Sequence, residues 1–124
     1  MTLFAPLSRA ALRVAPKDAA LRYACADFLH ECGCGAAAVD VLEEALRLAP
    51  DFPRAHNLMA IALADLGNTP AAIEHLRQAV TLHPTLAAAW ANLGLLLKSE
   101  NQFDAAVAAY DTALLSCPND PQFH

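Results

Sequence analysis

Four side chains with metal-binding chemistry, Cys25, His30, Cys32 and Cys34, fall within ten residues of one another. Thiolates and imidazoles at close spacing are the ligands of structural zinc. Such sites pair their cysteines as C-x₂₋₄-C and add a second pair elsewhere in the chain. Here a single residue separates Cys32 from Cys34, and no second pair follows. Cys25 falls on an apolar stripe and is expected to be a small buried hydrophobe. One-residue spacing also strains a disulfide. Cys32 and Cys34 are therefore read as thiols partly exposed at a helix–helix turn and prone to oxidation, and Cys117, beside Pro118, as packing at a helix end. No metal and no cofactor is expected.

Catalytic chemistry finds no constellation either. His30, His56, His75, His83 and His124 are dispersed, and Ser8, Ser99 and Ser116 sit on helices or at their ends. Asp40, Glu43 and Glu44 gather carboxylates at i, i+3, i+4, but Arg47 follows at the spacing of helix-stabilising ion pairs. Carboxylates on an outer helix face lack a pocket to desolvate them. There is no glycine-rich phosphate loop, dinucleotide fingerprint or cofactor lysine. The chain is expected not to be an enzyme.

The elements that position these residues are helices. Of 124 residues, 29 are Ala and 20 are Leu, against five Val, two Ile and five Thr, a balance that favours an all-α fold. Mean hydropathy is +0.31 and 17% of residues are charged, too apolar for disorder. Net charge is −5, and the second half of the chain carries two basic against six acidic residues. No basic stripe is available to neutralise phosphates, so nucleic acid is not expected as a partner. No run of 18 apolar residues occurs without a charge or proline, so a membrane span is excluded too. The first residues lack the pattern of a signal peptide. Four cysteines without such a leader read as reduced thiols, which points to the cytoplasm.

A period of 34 residues organises the chain. Pro16, Pro50, Pro84 and Pro118 are spaced by 34, and aligning on them brings other columns together. Ala11, Ala45, Ala79 and Ala113 coincide, as do Ala38, Ala72 and Ala106, then Leu42, Leu76 and Tyr110, then Leu29, Leu63 and Leu97. Each unit reads as two helices. In the unit from Pro53 to Leu86, Asp51 is a candidate cap before Pro53 at N1. His56, Met59, Ala60 and Leu63 form one buried stripe. Gly67-Asn68-Thr69 breaks the helix, Pro70 opens the next, and Pro84 ends it. Neighbouring helices are predicted near 19–32 and 36–49, then 87–100 and 104–116, with 3–14 matching a lone second helix. The architecture predicted is all-α: a right-handed α-solenoid of stacked antiparallel helix pairs, about seven helices long.

Trp90-Ala91-Asn92-Leu93-Gly94, then Leu97, Ala106, Tyr110, Ala113 and Pro118, resemble the tetratricopeptide repeat, W-x₂-L-G-x₂-Y followed by A, F and P. The resemblance spans a half repeat at 1–18, full units at 19–52, 53–86 and 87–120, and the start of a fourth at 121–124. Its first two units depart from the pattern. Arg22 and His56 replace the Trp, Ala26 and Ala60 the Gly, Cys25 the Leu, and Gly35 and Thr69 the aromatic represented by Phe103.

That resemblance implies a concave groove, lined by the first helices, that holds a protein or peptide partner. The groove residues expected are Tyr23, Asp27 and His30, then Arg54, Asn57, Ile61 and Asp65, then Asn92, Leu95 and Lys98. Tyr23, Ile61 and Leu95 would give apolar contacts, and Asp27, Arg54, Asn57 and Lys98 polar ones. Only Arg54, Asn57 and Lys98 could serve a carboxylate clamp, so that mode is not expected. Asn92 is similar to a rung of the asparagine ladder in protein O-GlcNAc transferases, although Asn57 stands one residue off its column. A second reading makes the array the substrate-presenting part of a larger glycosyltransferase-like, sulfotransferase or methyltransferase enzyme. A third is self-assembly, as a homodimer or head to tail, through uncapped ends carrying Phe4 and Leu7, or Val107, Tyr110 and Leu114. Because the last apolar face of a solenoid needs a cover, a longer parent protein is expected.

Overall fold

A computed structural model describes residues 16–116. These form six helices and, among the described residues, no strand: α1 (Pro16–Glu31), α2 (Gly35–Leu48), α3 (Pro53–Asp65), α4 (Thr69–Leu82), α5 (Ala87–Ser99) and α6 (Phe103–Ser116). The helix expected over 3–14, with Phe4 and Leu7, lies outside the described residues, as do Cys117, Pro118 and the start of a fourth unit. No described helix is long and apolar enough to cross a membrane.

Helices pair as α1 with α2, α3 with α4 and α5 with α6, and the pairs stack through α2 on α3 and α4 on α5. This is the solenoid that the 34-residue columns predict. α1 begins three residues ahead of its expected start at 19. Asp18, buried in that first turn, accepts a hydrogen bond from Arg22 one turn on. An acid at a helix N-terminus that is paired at i+4 favours the extra turn. Asp51 does not cap α3; the N-cap is Phe52, with no side-chain cap bond.

Each first helix ends in the same way. Gly33, Gly67 and Asn101, spaced by 34, take φ of +83°, +90° and +64°. In each case the left-handed residue donates to the carbonyl three back, and the next residue to the carbonyl five back: Cys34 to Leu29, Asn68 to Leu63, Gln102 to Leu97. This is the Schellman motif, which satisfies the last carbonyls and turns the chain sharply.

Small residues set the spacing between helices. Ala38, Ala72 and Ala106, and Ala45, Ala79 and Ala113, are all buried. Leu42 and Leu76 are the largest side chains fully enclosed. In the third pair Tyr110 stands in that column, opposite Gly94. In the second pair the Trp column keeps its bond despite substitution. Trp90 Nε1 donates to the Pro84 carbonyl at 2.7 Å, and His56 Nε2 donates to the equivalent Pro50 carbonyl at 2.9 Å.

Cys25 corrects the sequence reading: it is exposed. Its equivalents Met59 and Leu93 are each 3% exposed, in helices α3 and α5 that pack under α2 and α4. Among the described residues no helix precedes α1, so its corresponding face, with Leu21 and Phe28, stays open. A shallow depression of about 470 Å³ lies there, lined by Asp18, Leu21, Arg22, Cys25, Asp40, Val41 and Glu44.

Candidate binding groove

The first helices of the three pairs stand side by side, α1 touching α3 and α3 touching α5. A pocket of about 100 Å³ opens between α3 and α5, lined by Ala60, Ile61, Ala64, Asp65, Leu76, Asn92, Leu95 and Leu96. Its walls are helical and its floor belongs to the core, so its shape is set before anything binds. Leu95 is 54% exposed at its edge.

Two polar pairs bridge neighbouring first helices. Asn92 Nδ2 donates to Asn57 Oδ1 at 2.9 Å, joining α5 to α3. His30 Nε2 donates to Asp65 Oδ2 at 2.7 Å, joining α1 to α3. Both pairs are separated by 35 residues, one more than the repeat. The one-residue offset that set Asn57 apart from Asn92's column is the offset that brings them into contact. After that bond each amide still has an N–H and a carbonyl lone pair to offer.

Six of the ten expected residues thus converge: Ile61, Asp65, Asn92 and Leu95 on the pocket, with His30 and Asn57 bonded to its rim. Tyr23, Asp27 and Arg54 form a separate group between α1 and α3. Tyr23 is half-buried, its ring tilted against Phe52 with centroids 5.4 Å apart. Burial, and then the Asp27 carboxylate, raise its phenol above the ordinary pKa of 10.0, while Arg54 pulls it down. Lys98 is exposed in the last turn of α5. The sequence did not indicate the apolar floor: Ala60 and Leu76 fall in core columns, and Ala64 and Leu96 carry no signal of their own.

His75 was also missed. Its Nδ1 lies 3.0 Å from Nδ1 of buried His56. His56 must keep a proton on Nε2 for the Pro50 carbonyl, and the Nδ1–Nδ1 contact holds one proton between the two rings. Burial, and next the His56 ring, lower the His75 pKa below its ordinary 6.5, with Glu74 opposing. The pair ties the turn at Pro50 to α3 and α4 and serves structure. Among the described residues no three His, Cys, Asp or Glu side chains are placed to hold one metal ion.

Comparison with known proteins agrees with this fold. The sequence profile of the family described as Tetratricopeptide repeat matches residues 33–87 and 57–122. No curated protein matches the chain. A crystal structure of MamA is 22% identical, covering 94% of this chain and 68% of its own, with a TM-score of 0.79. The first TPR of Spaghetti (RPAP3), bound to the HSP90 peptide SRMEEVD, is 19% identical over 89% of this chain and 87% of that one, with a TM-score of 0.82. The TPR2B domain of yeast Sti1, in a complex with pHsp70, is 22% identical over 82% and 79%, with a TM-score of 0.75. At these identities the likeness is one of fold.

Proposed function

Because the chain belongs to the tetratricopeptide repeat family, we propose that it is a non-catalytic interaction module that holds an extended peptide segment of a partner protein against α1, α3 and α5. The observation that carries this reading is the preformed α3–α5 pocket, apolar within and flanked by the Asn57–Asn92 amide pair. An apolar side chain seats in such a pocket, and amides beside it bond a peptide backbone without selecting a side chain. A rigid solenoid surface orders a partner segment without rearranging itself. Two proteins of similar fold were solved in complexes, one with an HSP90 peptide and one with pHsp70, which supports the reading. The exposed thiols of Cys25, Cys32 and Cys34 suit a reducing compartment, the cytoplasm.

Panning a phage-displayed library of random heptapeptides on the chain supplies ligands for the test. Enriched clones are expected to lose binding to Leu95→Asp, a change at an exposed position that leaves the melting temperature within a few degrees. Clones that bind Leu95→Asp as well as the parent overturn the groove assignment.

The Asn57–Asn92 pair also supports the array as the substrate-presenting region of a larger enzyme. Sequencing the source gene beyond codon 124 tests that reading, which requires an adjoining catalytic domain in the same frame.

A further inference from the structure

The pocket combines an apolar interior with a single carboxylate. Of its lining residues, Asn92 and Asp65 alone are polar. Asn92 offers both a donor and an acceptor after its bond to Asn57, so it suits a peptide backbone. Asp65 differs, because an ionised carboxylate accepts only. His30 occupies Oδ2, and whatever meets the other oxygen must donate. The side chain is 61% exposed, open to a ligand at the mouth of the pocket.

The local field has the same sign. Asp65 is the last residue of α3, where the helix dipole is negative, and the last turn of α3 holds no basic residue. Glu31 ends the neighbouring α1, beside His30. Lys98, in the last turn of α5, forms no ion pair with Asp65. Arg54 stands eleven residues earlier on α3, about 16 Å along the helix. A carboxylate kept at the negative end of a helix, with one histidine as partner, is a place for a cation.

We infer, on the footing of the groove reading above, that the partner segment carries an aliphatic side chain for the pocket and a lysine or arginine two residues away for Asp65. Alternate residues of an extended chain point to the same side, about 7 Å apart. Asp65 lines the same pocket as Ile61 and Leu95, so the two side chains of the segment must point to one side. A peptide with an acidic residue at the second position is repelled there.

The test uses the heptapeptides enriched on the intact chain. Their sequences are expected to share an aliphatic residue with Lys or Arg two positions away. Asp65→Asn is expected to weaken a synthesised clone roughly fivefold, the upper range for a solvated ion pair. Salt near 0.5 M should weaken binding to the parent and leave Asp65→Asn unchanged. In a second selection, Asp65→Lys should enrich Glu or Asp at the same position. Clones that depend on Leu95 yet lack a basic residue, or ignore Asp65→Asn, overturn the cation inference and leave the groove standing. Clones indifferent to Leu95→Asp, or no enrichment at all, overturn both.

Discussion

Gly94 gives the most discriminating test of how the repeats are packed. A methyl group added there would lie 3.1 Å from Cδ2 and Cε2 of Tyr110 and 3.2 Å from the Ala106 carbonyl oxygen. In the other two pairs the equivalent positions hold Ala26 and Ala60, both fully buried, and there the Tyr110 column holds Leu42 and Leu76. Glycine is thus matched to the aromatic ring and alanine to the aliphatic side chain. Gly94→Ala gains about 1 kcal/mol of helix propensity. Against that, overpacking a filled interior costs about 1–3 kcal/mol. The single variant should therefore be destabilised by up to about 2 kcal/mol, or about 8 °C at roughly 4 °C per kcal/mol for a chain of this size. In a Tyr110→Leu background the ring contacts are removed and only the Ala106 carbonyl contact remains, so the same substitution should cost less than in the parent or stabilise by up to about 1 kcal/mol. Urea and thermal melts of the four proteins, followed by far-ultraviolet circular dichroism, give the coupling directly. If Gly94→Ala raises the midpoint equally in both backgrounds, the pairing of residue 94 with residue 110 does not govern this interface.

The remaining predictions are smaller in scope. Burial and then His56 hold the folded pKa of His75 below 6.5, so between those two values the unfolded chain binds more protons than the folded one. Stability should be complete above about pH 6.5 and decline as pH falls through the folded value; melts from pH 8 to pH 5 should show this decline, reduced in His75→Leu. Asn101 carries φ +64° where its two equivalents are glycine, so Asn101→Gly should raise stability by up to about 1 kcal/mol in urea titration, and a loss would refute the left-handed reading.

The fold was legible because its core is repetitive. A 34-residue period is visible wherever two helices must close to the same distance in each pair, as at Ala38, Ala72 and Ala106, or where the chain must turn in the same way, as at Gly33, Gly67 and Asn101. Cys25 shows the limit of that logic. Its place in the column of Met59 and Leu93 was read correctly, but burial is a property of what packs against a column, and the covering helix is absent among the described residues. His56 shows a different limit. It stands in the Trp column and keeps the bond to the proline carbonyl that Trp90 makes. Its second nitrogen then needs a partner, and a repeat alignment has no column that pairs residue 56 with residue 75.

The helix face that carries the candidate groove residues was legible in the sequence, and the pairings across it were not. One column runs Asp27, Ile61, Leu95 and another Glu31, Asp65, Ser99, with no residue type held between units. Packing holds core columns such as Ala38, Ala72 and Ala106 to one size, while a solvent-facing column is constrained only by what it meets. The periodicity that locates the groove therefore carries no information about its chemistry. Contacts across it fall at a separation of 35, as His30–Asp65 and Asn57–Asn92 do. Neighbouring first helices are stepped by a residue where they meet, so a search in strict register separates each pair. The pocket follows from that step: it sets the amide pair and the carboxylate of α3 beside Leu95 of α5, on a surface where the repeat sequence predicts no relation between them.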